Sequence, residues 1–403
     1  MKKFLCTVLS LVMVLSLAAC GGGSGSGGSS SGGGASSGGA SGGGDSGATG
    51  DTIKIGVFEA MTGGNAAAGE LELEGFRLAN TIRPTVTIDG TEHPVELVVA
   101  DNKTDTVEAV TAAASLVSSG CVAAMGGTGS GLCIAAAPTF EEAKMPIVGT
   151  TCTNPLVTQD NTYYFRLCYT DPGQGSILAT YAKDTLGAKT AAILCDITDA
   201  YCIGLAEYFK ANFGEENIVE ELYFNTGDQD FSAALTTIAA ANPDVVFSGS
   251  QYTEGALMQV QAEQQGLDLT FLGTDGWETE TFLDIGGSAV DDCAFVTFFD
   301  ADADPTPESE QYLKDYDSVY GGKPRSSYTA VSYDAYMVLL DAIEACNSTD
   351  GETLRDQLYK TSRDCVTGHI EFDDNGDAIK DIAYLKSAKD GQFTFGGIAA
   401  LSN

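Results

Sequence analysis

From residue 51 onward the chain alternates between short apolar runs and segments with helical periodicity. The runs IKIGVF (53–58), CVAAM (121–125), TAAILCD (190–196) and DVVFSGS (244–250) are largely apolar. Such runs are typical of strands buried on both faces of a parallel sheet. Because a helical pattern follows each of them, the repeated βα units predict an α/β fold of doubly wound parallel sheets covered by helices on both faces. At 403 residues the chain exceeds the size of one ordinary core, so we expect two such sheets.

The first 50 residues differ in composition from the rest. Lys2 and Lys3 precede the apolar run FLCTVLSLVMVLSLAA, a pattern that predicts a secretory signal peptide over residues 1–19. The tetrapeptide LAAC (17–20) resembles a bacterial lipobox, in which the cysteine receives a lipid, so Cys20 is the predicted lipidation site. Residues 20–50 are almost entirely Gly, Ser and Ala, which is typical of a flexible tether. We therefore expect an extracytoplasmic protein held at the bacterial membrane by its lipid anchor alone.

Charge and motif content exclude several classes of function. The chain carries 56 acidic and 20 basic residues, for a net charge of −36, which argues against a nucleic-acid partner. The glycines of GGTGSG (126–131) do not have the GxGxxG spacing of a dinucleotide site, and a P-loop and a GxSxG elbow are both absent. The cysteines form no CxxC pair, and the chain has two histidines, so we predict neither a metal nor a cofactor. We do not expect an enzyme.

Polar residues follow the predicted strands, at the edge where doubly wound sheets bind ligands. These segments are GGTGS (126–130), GTTCTNP (149–155), DITDAY (196–201), SGSQYTE (248–254) and GTDGW (273–277). Gly, Ser, Thr and Asp dominate them, which indicates a polar cleft for a small molecule. Ser130 opens a predicted helix, and the free amides of a helix N-terminus favour an anion such as a carboxylate.

Several blocks in a fixed order resemble the leucine/isoleucine/valine-binding family, the solute receptors of ABC importers with the type I periplasmic-binding fold. They include IKIGVFEAMTGGNAAAGELELEGFRLA (53–79), GSGLCIAAAPTFEEAKMPIVGTTCTNP (129–155) and YTAVSYDAY (328–336). The resemblance extends from Ile53 to the C-terminus. It implies two lobes that close around a ligand, residues 51–168 with 298–375 in lobe I and residues 169–297 with 376–403 in lobe II. It also implies that an ABC permease and its ATPase are the partners.

Five ligand-binding residues are implied by the position of each residue in these blocks. Ser130 matches the serine that receives the ligand carboxylate, and Cys152 with Thr153 matches the pair that contacts both ends of a zwitterion. Tyr201 matches a tyrosine of the second lobe, and Asp275 matches the acid that binds the ammonium group. Simpler roles stay open for four of them: Ser130 as an N-cap, Thr153 and Asp275 as turn residues, and Tyr201 as a core residue. Trp277 could line the cleft or pack inside a lobe.

The predicted function is the capture of an amino acid and its delivery to the permease. Where many family members carry an aromatic residue before glycine, this chain has Ala68-Gly69, and Glu59 follows the first strand. The ligand is therefore expected to be an amino acid or a related small carboxylate rather than a branched-chain amino acid alone. Two alternatives stay open: a sensory receptor module for an amide or small carboxylate, and a lipoprotein hydrolase.

Near the C-terminus we also expect a hairpin between HIEFD (369–373) and DIAYLK (381–386).

Overall fold

Two large sheets organise residues 50–401, the part of the chain that the computed structural model describes. The predicted signal peptide, the lipidation site Cys20 and nearly all of the tether lie outside the described residues. Both large sheets are mainly parallel and are flanked by helices. The predicted α/β class with two doubly wound sheets is confirmed.

The first sheet has six strands in the order β2-β3-β1-β4-β5-β6. All its neighbours are parallel except β2 and β3, which form the hairpin at Asp89-Gly90. Both turn residues have positive φ, as the tight connection requires. The strands are β1 (Ile53–Glu59), β2 (Thr85–Ile88), β3 (Thr91–Asp101), β4 (Ala123–Met125), β5 (Ile147–Gly149) and β6 (Tyr164–Arg166), and the helices between them are α1 (Ala66–Ile82), α2 (Thr106–Ser118) and α3 (Ser130–Ala143).

The second sheet has seven strands in the order β15-β14-β11-β10-β9-β7-β8. Its central strands are parallel, and the last two strands of the chain add an antiparallel edge. Its strands are β7 (Ala191–Asp196), β8 (Ile218–Phe224), β9 (Val245–Gly249), β10 (Phe271–Gly273), β11 (Ala294–Thr297), β14 (Ile382–Lys389) and β15 (Gln392–Ala400). Its helices are α4 (Asp171–Thr180), α5 (Ala200–Phe213), α6 (Ser232–Ala241), α7 (Tyr252–Gln264) and α8 (Glu280–Gly286).

The remaining elements return the chain to the first sheet before it enters the second sheet again. They are α9 (Pro307–Tyr320), α10 (Ser327–Cys346), α11 (Gly351–Leu358) and the antiparallel pair β12 (Ser362–Cys365) and β13 (Gly368–Glu371). The expected hairpin between HIEFD and DIAYLK is confirmed at its turn, where Phe372 pairs antiparallel with Ala378 and the N–H of Asp373 donates to the carbonyl of Asp377 at 2.9 Å, but not along the strand DIAYLK. The first segment pairs with β12, whereas the second forms β14 against β11, because the apolar positions of β14 are buried there.

Helix α10 forms the centre of the packing around the first sheet. Most of its residues are buried, and it crosses α1 at Gly75, where a Cβ atom would lie 2.3 Å from the carbonyl oxygen of Thr329. The glycine therefore permits a close helix–helix approach that a larger residue would prevent. This approach fixes the N-terminal end of α10, and with it Tyr328, beside the edge where strands of both sheets end.

Within residues 50–401 no helix combines the length and the apolar character needed to cross a bilayer. All nine cysteines in this range are free thiols.

Candidate functional site

Loops from both sheets enclose one narrow hollow. The side of the first sheet contributes Thr128, Gly129, Ser130 and Thr151, the side of the second sheet contributes Tyr201, Gln251, Asp275 and Gly276, and Tyr328 of α10 completes the lining. Three of the predicted binding residues, Ser130, Tyr201 and Asp275, therefore line the same space. Cys152 and Thr153 follow Thr151 directly and lie behind this wall.

Ser130 is the first residue of α3, and Gly129 before it is the N-cap, with φ +86°. The serine hydroxyl does not cap the helix but accepts a hydrogen bond from the backbone N–H of Asn154 at 3.2 Å. The simpler role of Ser130 as an N-cap is therefore wrong. The first amides of α3 lack intrahelical acceptors, as at any helix N-terminus, and they begin at the hollow. This geometry offers partial positive charge to an anion.

The loop after β5 presents Thr153 with an unused hydroxyl. Thr153 is fully buried, and its Oγ1 atom has no hydrogen-bond partner among the described residues. The thiol of Cys152 points into the core toward Tyr164, with 4.0 Å between Sγ and the phenol oxygen. The Cys152 carbonyl accepts a hydrogen bond from Arg166 at 2.9 Å. In this conformation Cys152 supports the loop from behind, whereas Thr153 has a free donor.

Asp275 supplies a buried carboxylate on the opposite side of the hollow. It is 3% exposed, and its Oδ1 atom accepts hydrogen bonds from the hydroxyl of Tyr201 and from Gln174 Nε2 at 3.0 Å. Burial raises the pKa of Asp275 to about 7, although both hydrogen bonds act in the other direction. Its role as a turn residue does not account for these contacts, since Thr279 caps the following helix.

Direct hydrogen bonds join the two halves around the hollow. Asn154 Nδ2 donates to the carbonyl of Ala200 at 3.0 Å, and Tyr328 donates to the carbonyl of Asp275 at 2.9 Å. The hydroxyl of Tyr252 donates to the carbonyl of Gly64 and accepts a hydrogen bond from the backbone N–H of Ala67, in α1, at 3.3 Å. The halves are therefore in contact on both sides of the hollow, which is a closed arrangement.

Comparison with known proteins identifies the family and the fold. A family model described as "Periplasmic binding protein" matches residues 52–392. The chain belongs to the periplasmic binding protein family. This is a family of solute-binding proteins and not an enzyme family.

Among relatives of this periplasmic binding protein, the amino acid binding protein of Pseudomonas aeruginosa is 29% identical over 330 residues, which cover 81% of this chain and 87% of the relative. The Leu/Ile/Val-binding protein homolog 3 of Brucella melitensis is 29% identical over 332 residues, with 81% and 88% covered. Among solved structures, the leucine binding protein LivK of Thermotoga maritima is similar with a TM-score of 0.82 and 37% identity, over 86% of this chain and 98% of that one. LivJ of Streptococcus pneumoniae, solved in complex with isoleucine, has a TM-score of 0.79 and 28% identity, with 87% and 99% covered.

Asp171 is a further acidic residue at this site that sequence reasoning missed. It begins α4, is fully buried, and neither of its carboxylate oxygens has a hydrogen-bond partner among the described residues. Its backbone N–H donates to the carbonyl of Thr153 at 3.0 Å, and its carboxyl lies close to the Thr153 hydroxyl. Burial raises the pKa of Asp171 to about 8. The available signal was its position at a helix start in the family block YTDPGQG.

Trp277 packs inside the second half of this binding protein and does not line the hollow. It is fully buried, its Nε1 atom donates to Ser250 Oγ at 3.1 Å, and its ring stacks on Phe282 at a centroid distance of 4.9 Å. Gly255 and Gly273 leave the space that the indole fills. Of the two roles open from the sequence, the packing role is the observed one.

Proposed function

We propose that this periplasmic binding protein captures an amino acid in the hollow between its two halves and delivers it to an ABC permease. The ligand carboxylate would bind at the start of α3, to Ser130 and to the free hydroxyl of Thr153. The ammonium group would bind to Asp275 and Tyr201 on the opposite side. The observation that carries this proposal is the placement of a helix N-terminus and a buried carboxylate on facing walls of one hollow.

The electrostatics of the hollow favour a zwitterion over an anion or a cation alone. A ligand that leaves water must have both of its charges compensated, because an unpaired buried charge is very costly. The start of α3 can compensate a carboxylate, and Asp275 can compensate an ammonium group. The names of the relatives, which bind leucine, isoleucine or other amino acids, support the same ligand class.

Closure provides the signal to the permease in this proposal. A ligand that contacts both walls stabilises the closed arrangement relative to an open one, because an open cleft loses half of the contacts. We propose that the lobes have the boundaries expected from the sequence, with residues 51–168 and 298–375 in lobe I and residues 169–297 and 376–403 in lobe II. The chain would then cross between the lobes near residues 168, 297 and 376.

We propose further that the mature protein begins at a lipidated Cys20 after removal of residues 1–19. The tether of residues 20–50 would hold the binding domain at the outer surface of the membrane, near the permease. Incorporation of a radiolabelled fatty acid into the expressed protein, and its loss in Cys20→Ala, would test this anchor.

The hydrolase alternative has no histidine among the residues that line the hollow. The ring of His93 contacts the carbonyl of Asp51, and His369 pairs with Asp364, so both histidines are engaged outside the residues that line the hollow. The hydroxyl of Ser130 already accepts a backbone hydrogen bond. These contacts favour a binding role for Ser130 over a nucleophilic one.

The test is a thermal-shift screen of the twenty common L-amino acids against the protein without residues 1–20, followed by calorimetric titration. A ligand that binds only the folded state raises the melting temperature, and its stabilisation grows with the logarithm of the ligand concentration relative to Kd. We expect at least one amino acid to bind and its decarboxylated and deaminated analogues not to bind. Binding of the analogues with equal affinity would contradict recognition of both charged ends.

A further inference from the structure

A pair of buried acids lies against the two loops that carry Ser130 and Thr153. Glu59 ends β1, and Glu72 lies in α1; both are fully buried. Neither acid lines the hollow, so neither belongs to the proposed binding residues. Buried glutamates are rare without a partner that compensates their charge, and their environment therefore needs an explanation.

Glu59 holds the loop that leads into α3. Its Oε1 atom accepts a hydrogen bond from the backbone N–H of Gly127 at 2.8 Å, and its Oε2 atom lies 3.4 Å from the N–H of Thr128. The loop is shaped to this carboxyl group, because a Cβ atom at Gly126 would lie 2.2 Å from Glu59 Oε1. These contacts set the path of the chain immediately before Ser130.

Glu72 holds the second loop of the same wall. It accepts a hydrogen bond from Thr151 Oγ1 at 2.5 Å and another from the hydroxyl of Thr150. Both threonines directly precede Cys152 and Thr153. Two neighbouring acids thus anchor the two loops to which the proposed carboxylate-binding residues belong.

The two acids are neighbours whose carboxyl groups interact directly, which favours one proton shared between them. Within residues 50–401 no lysine or arginine side chain bonds to either acid. Two carboxylates in contact cannot both ionise without a large electrostatic penalty. Burial raises the pKa of both acids, and that of Glu59 lies well above its usual range because Glu72 raises it further.

The hydrogen bonds also indicate which acid carries the proton. Glu72 accepts from two threonine hydroxyls, so a third donor can come only from a protonated Glu59. Glu59 Oε1 is already an acceptor for Gly127, which leaves the weakly bonded Oε2 to carry the proton. The other titratable groups that face the pair, Cys133, Cys152 and Tyr328, are acids and supply no positive charge.

We propose that Glu59 and Glu72 are positioning residues, a proton-sharing acid pair that clamps loops 126–130 and 149–154 in the arrangement that receives the ligand carboxylate. The role of the ligand in this proposal rests on the proposed function, whereas the clamping of the two loops by the acids does not. A single negative charge remains on the pair. Loss of the shared proton would place a second charge behind the start of α3, where it would oppose an incoming carboxylate.

Amide substitution separates the clamp from a general packing role. In Glu59→Gln, the side-chain oxygen can accept from Gly127 and the amide nitrogen can donate to Glu72, so the variant imitates protonated Glu59 but cannot titrate. Glu59→Ala removes both bonds. Glu70→Gln and Glu70→Ala are the matched controls, because Glu70 is exposed on the same helix as Glu72.

The first measurement is hydrogen–deuterium exchange of segments 126–131 and 149–154 in the ligand-free protein. We expect exchange at the Gly127 and Thr128 amides to rise about 10-fold or more in Glu59→Ala, because a lost buried hydrogen bond exposes these donors to opening. Glu59→Gln should stay close to the unsubstituted protein. Equal exchange in Glu59→Ala and the Glu70 controls would overturn the clamp.

The second measurement is the pH dependence of unfolding. The folded pair keeps its proton at pH values where unfolded glutamates have released theirs, so the unsubstituted protein should lose stability relative to Glu59→Gln as the pH rises above about 4.5. Parallel curves for the two proteins would overturn proton sharing.

The third measurement is binding of L-leucine at one pH. Affinity should fall about 10-fold or more in Glu59→Ala and be restored in Glu59→Gln. Equal affinity in all variants would overturn the positioning role. If L-leucine does not bind the unsubstituted protein, the proposed function fails for this ligand, and exchange and unfolding still decide whether the acid pair clamps the loops.

Discussion

Gln174 donates a hydrogen bond to Oδ1 of Asp275 at 3.0 Å, and the hydroxyl of Tyr201 donates to the same oxygen. The carboxylate is therefore held in place before any ligand arrives, with its second oxygen free for another donor. Holding a binding group in its final orientation lowers the entropy cost of association. The consequences for affinity can be tested one residue at a time.

Replacement of Asp275 should remove the recognition of the ammonium group. We expect Asp275→Ala to weaken amino-acid binding by about 3–5 kcal/mol, because the ligand cation would be buried without its partner. This corresponds to a loss of about a hundredfold to a few thousandfold in affinity, measured by calorimetry. Asp268→Ala is the control, since Asp268 is exposed in the same half. Equal affinity in both variants would remove Asp275 from the site.

Thr153→Val should weaken binding without weakening the fold. The Oγ1 atom lies near the Asp171 carboxyl but makes no full hydrogen bond among the described residues, so its loss removes little stabilisation. We expect the free energy of unfolding to change by less than about 1 kcal/mol and the affinity to fall about 10-fold. Chemical denaturation and calorimetry measure the two quantities. A large loss of stability would show that the hydroxyl has a structural partner.

The strands and the location of the site could be predicted from the sequence because both depend on local patterns. Apolar runs such as IKIGVF became buried parallel strands, and the residues after them brought Ser130, Tyr201 and Asp275 to one hollow. Strand pairing at the C-terminus could not be predicted in this way. Segment 382–389 joins β11, which is far away in sequence, and only the exposed edge of the folded second sheet selects it.

The residues that sequence reasoning missed lie away from strand ends. Asp171 and Gln174 both lie on α4, where the helix start at Asp171 is a weak signal and a helical glutamine carries none. Glu59 is unusual after a strand, but its partner Glu72 looks like one more acid in an acidic helix. Their pairing, and the lack of a partner at Asp171, are properties of the packed structure and not of any local pattern.

Ligand binding should release protons near neutral pH. Burial raises the pKa of Asp275 to about 7 and that of Asp171 to about 8 from a usual 3.8, so both carboxyls are largely protonated in the empty protein at pH 6. An ammonium group favours their ionised forms, and affinity should therefore increase as the pH rises from about 6 to about 8. Calorimetry in two buffers of different ionisation enthalpy measures the protons released.

The same two groups contribute to the pH dependence of the free energy of unfolding. Their folded pKa values lie above the unfolded ones, so the contribution they make to stability falls as the pH rises from about 4 toward about 8. Asp275→Asn should flatten both the affinity profile and the stability profile over this range. Profiles that keep their slope in Asp275→Asn would assign the protons to other groups.

Arg166 braces the ligand-binding loop from inside the protein. It is fully buried, donates to Asp377 through Nε at 2.6 Å and Nη2 at 3.0 Å, and donates through Nη1 to the carbonyls of Cys152 and Asn154 at 2.9 and 2.6 Å. Arg166→Met should lower the free energy of unfolding by about 3 kcal/mol. This value is near the low end of the cost of breaking a buried ion pair, because the Asp377 side chain is 17% exposed. Arg77→Met, at an exposed position of α1, is the control.

The double variant Arg166→Met/Asp377→Leu separates charge pairing from support of the loop. Removing both charges leaves neither one buried and unpaired, so its stability should exceed that of Arg166→Met. The carbonyls of Cys152 and Asn154 would still lack their donor, and amino-acid affinity should remain reduced in both variants. Denaturant unfolding and calorimetry on the same samples measure the two effects. Recovery of affinity together with stability in the double variant would show that Arg166 acts through Asp377 alone and not through the loop.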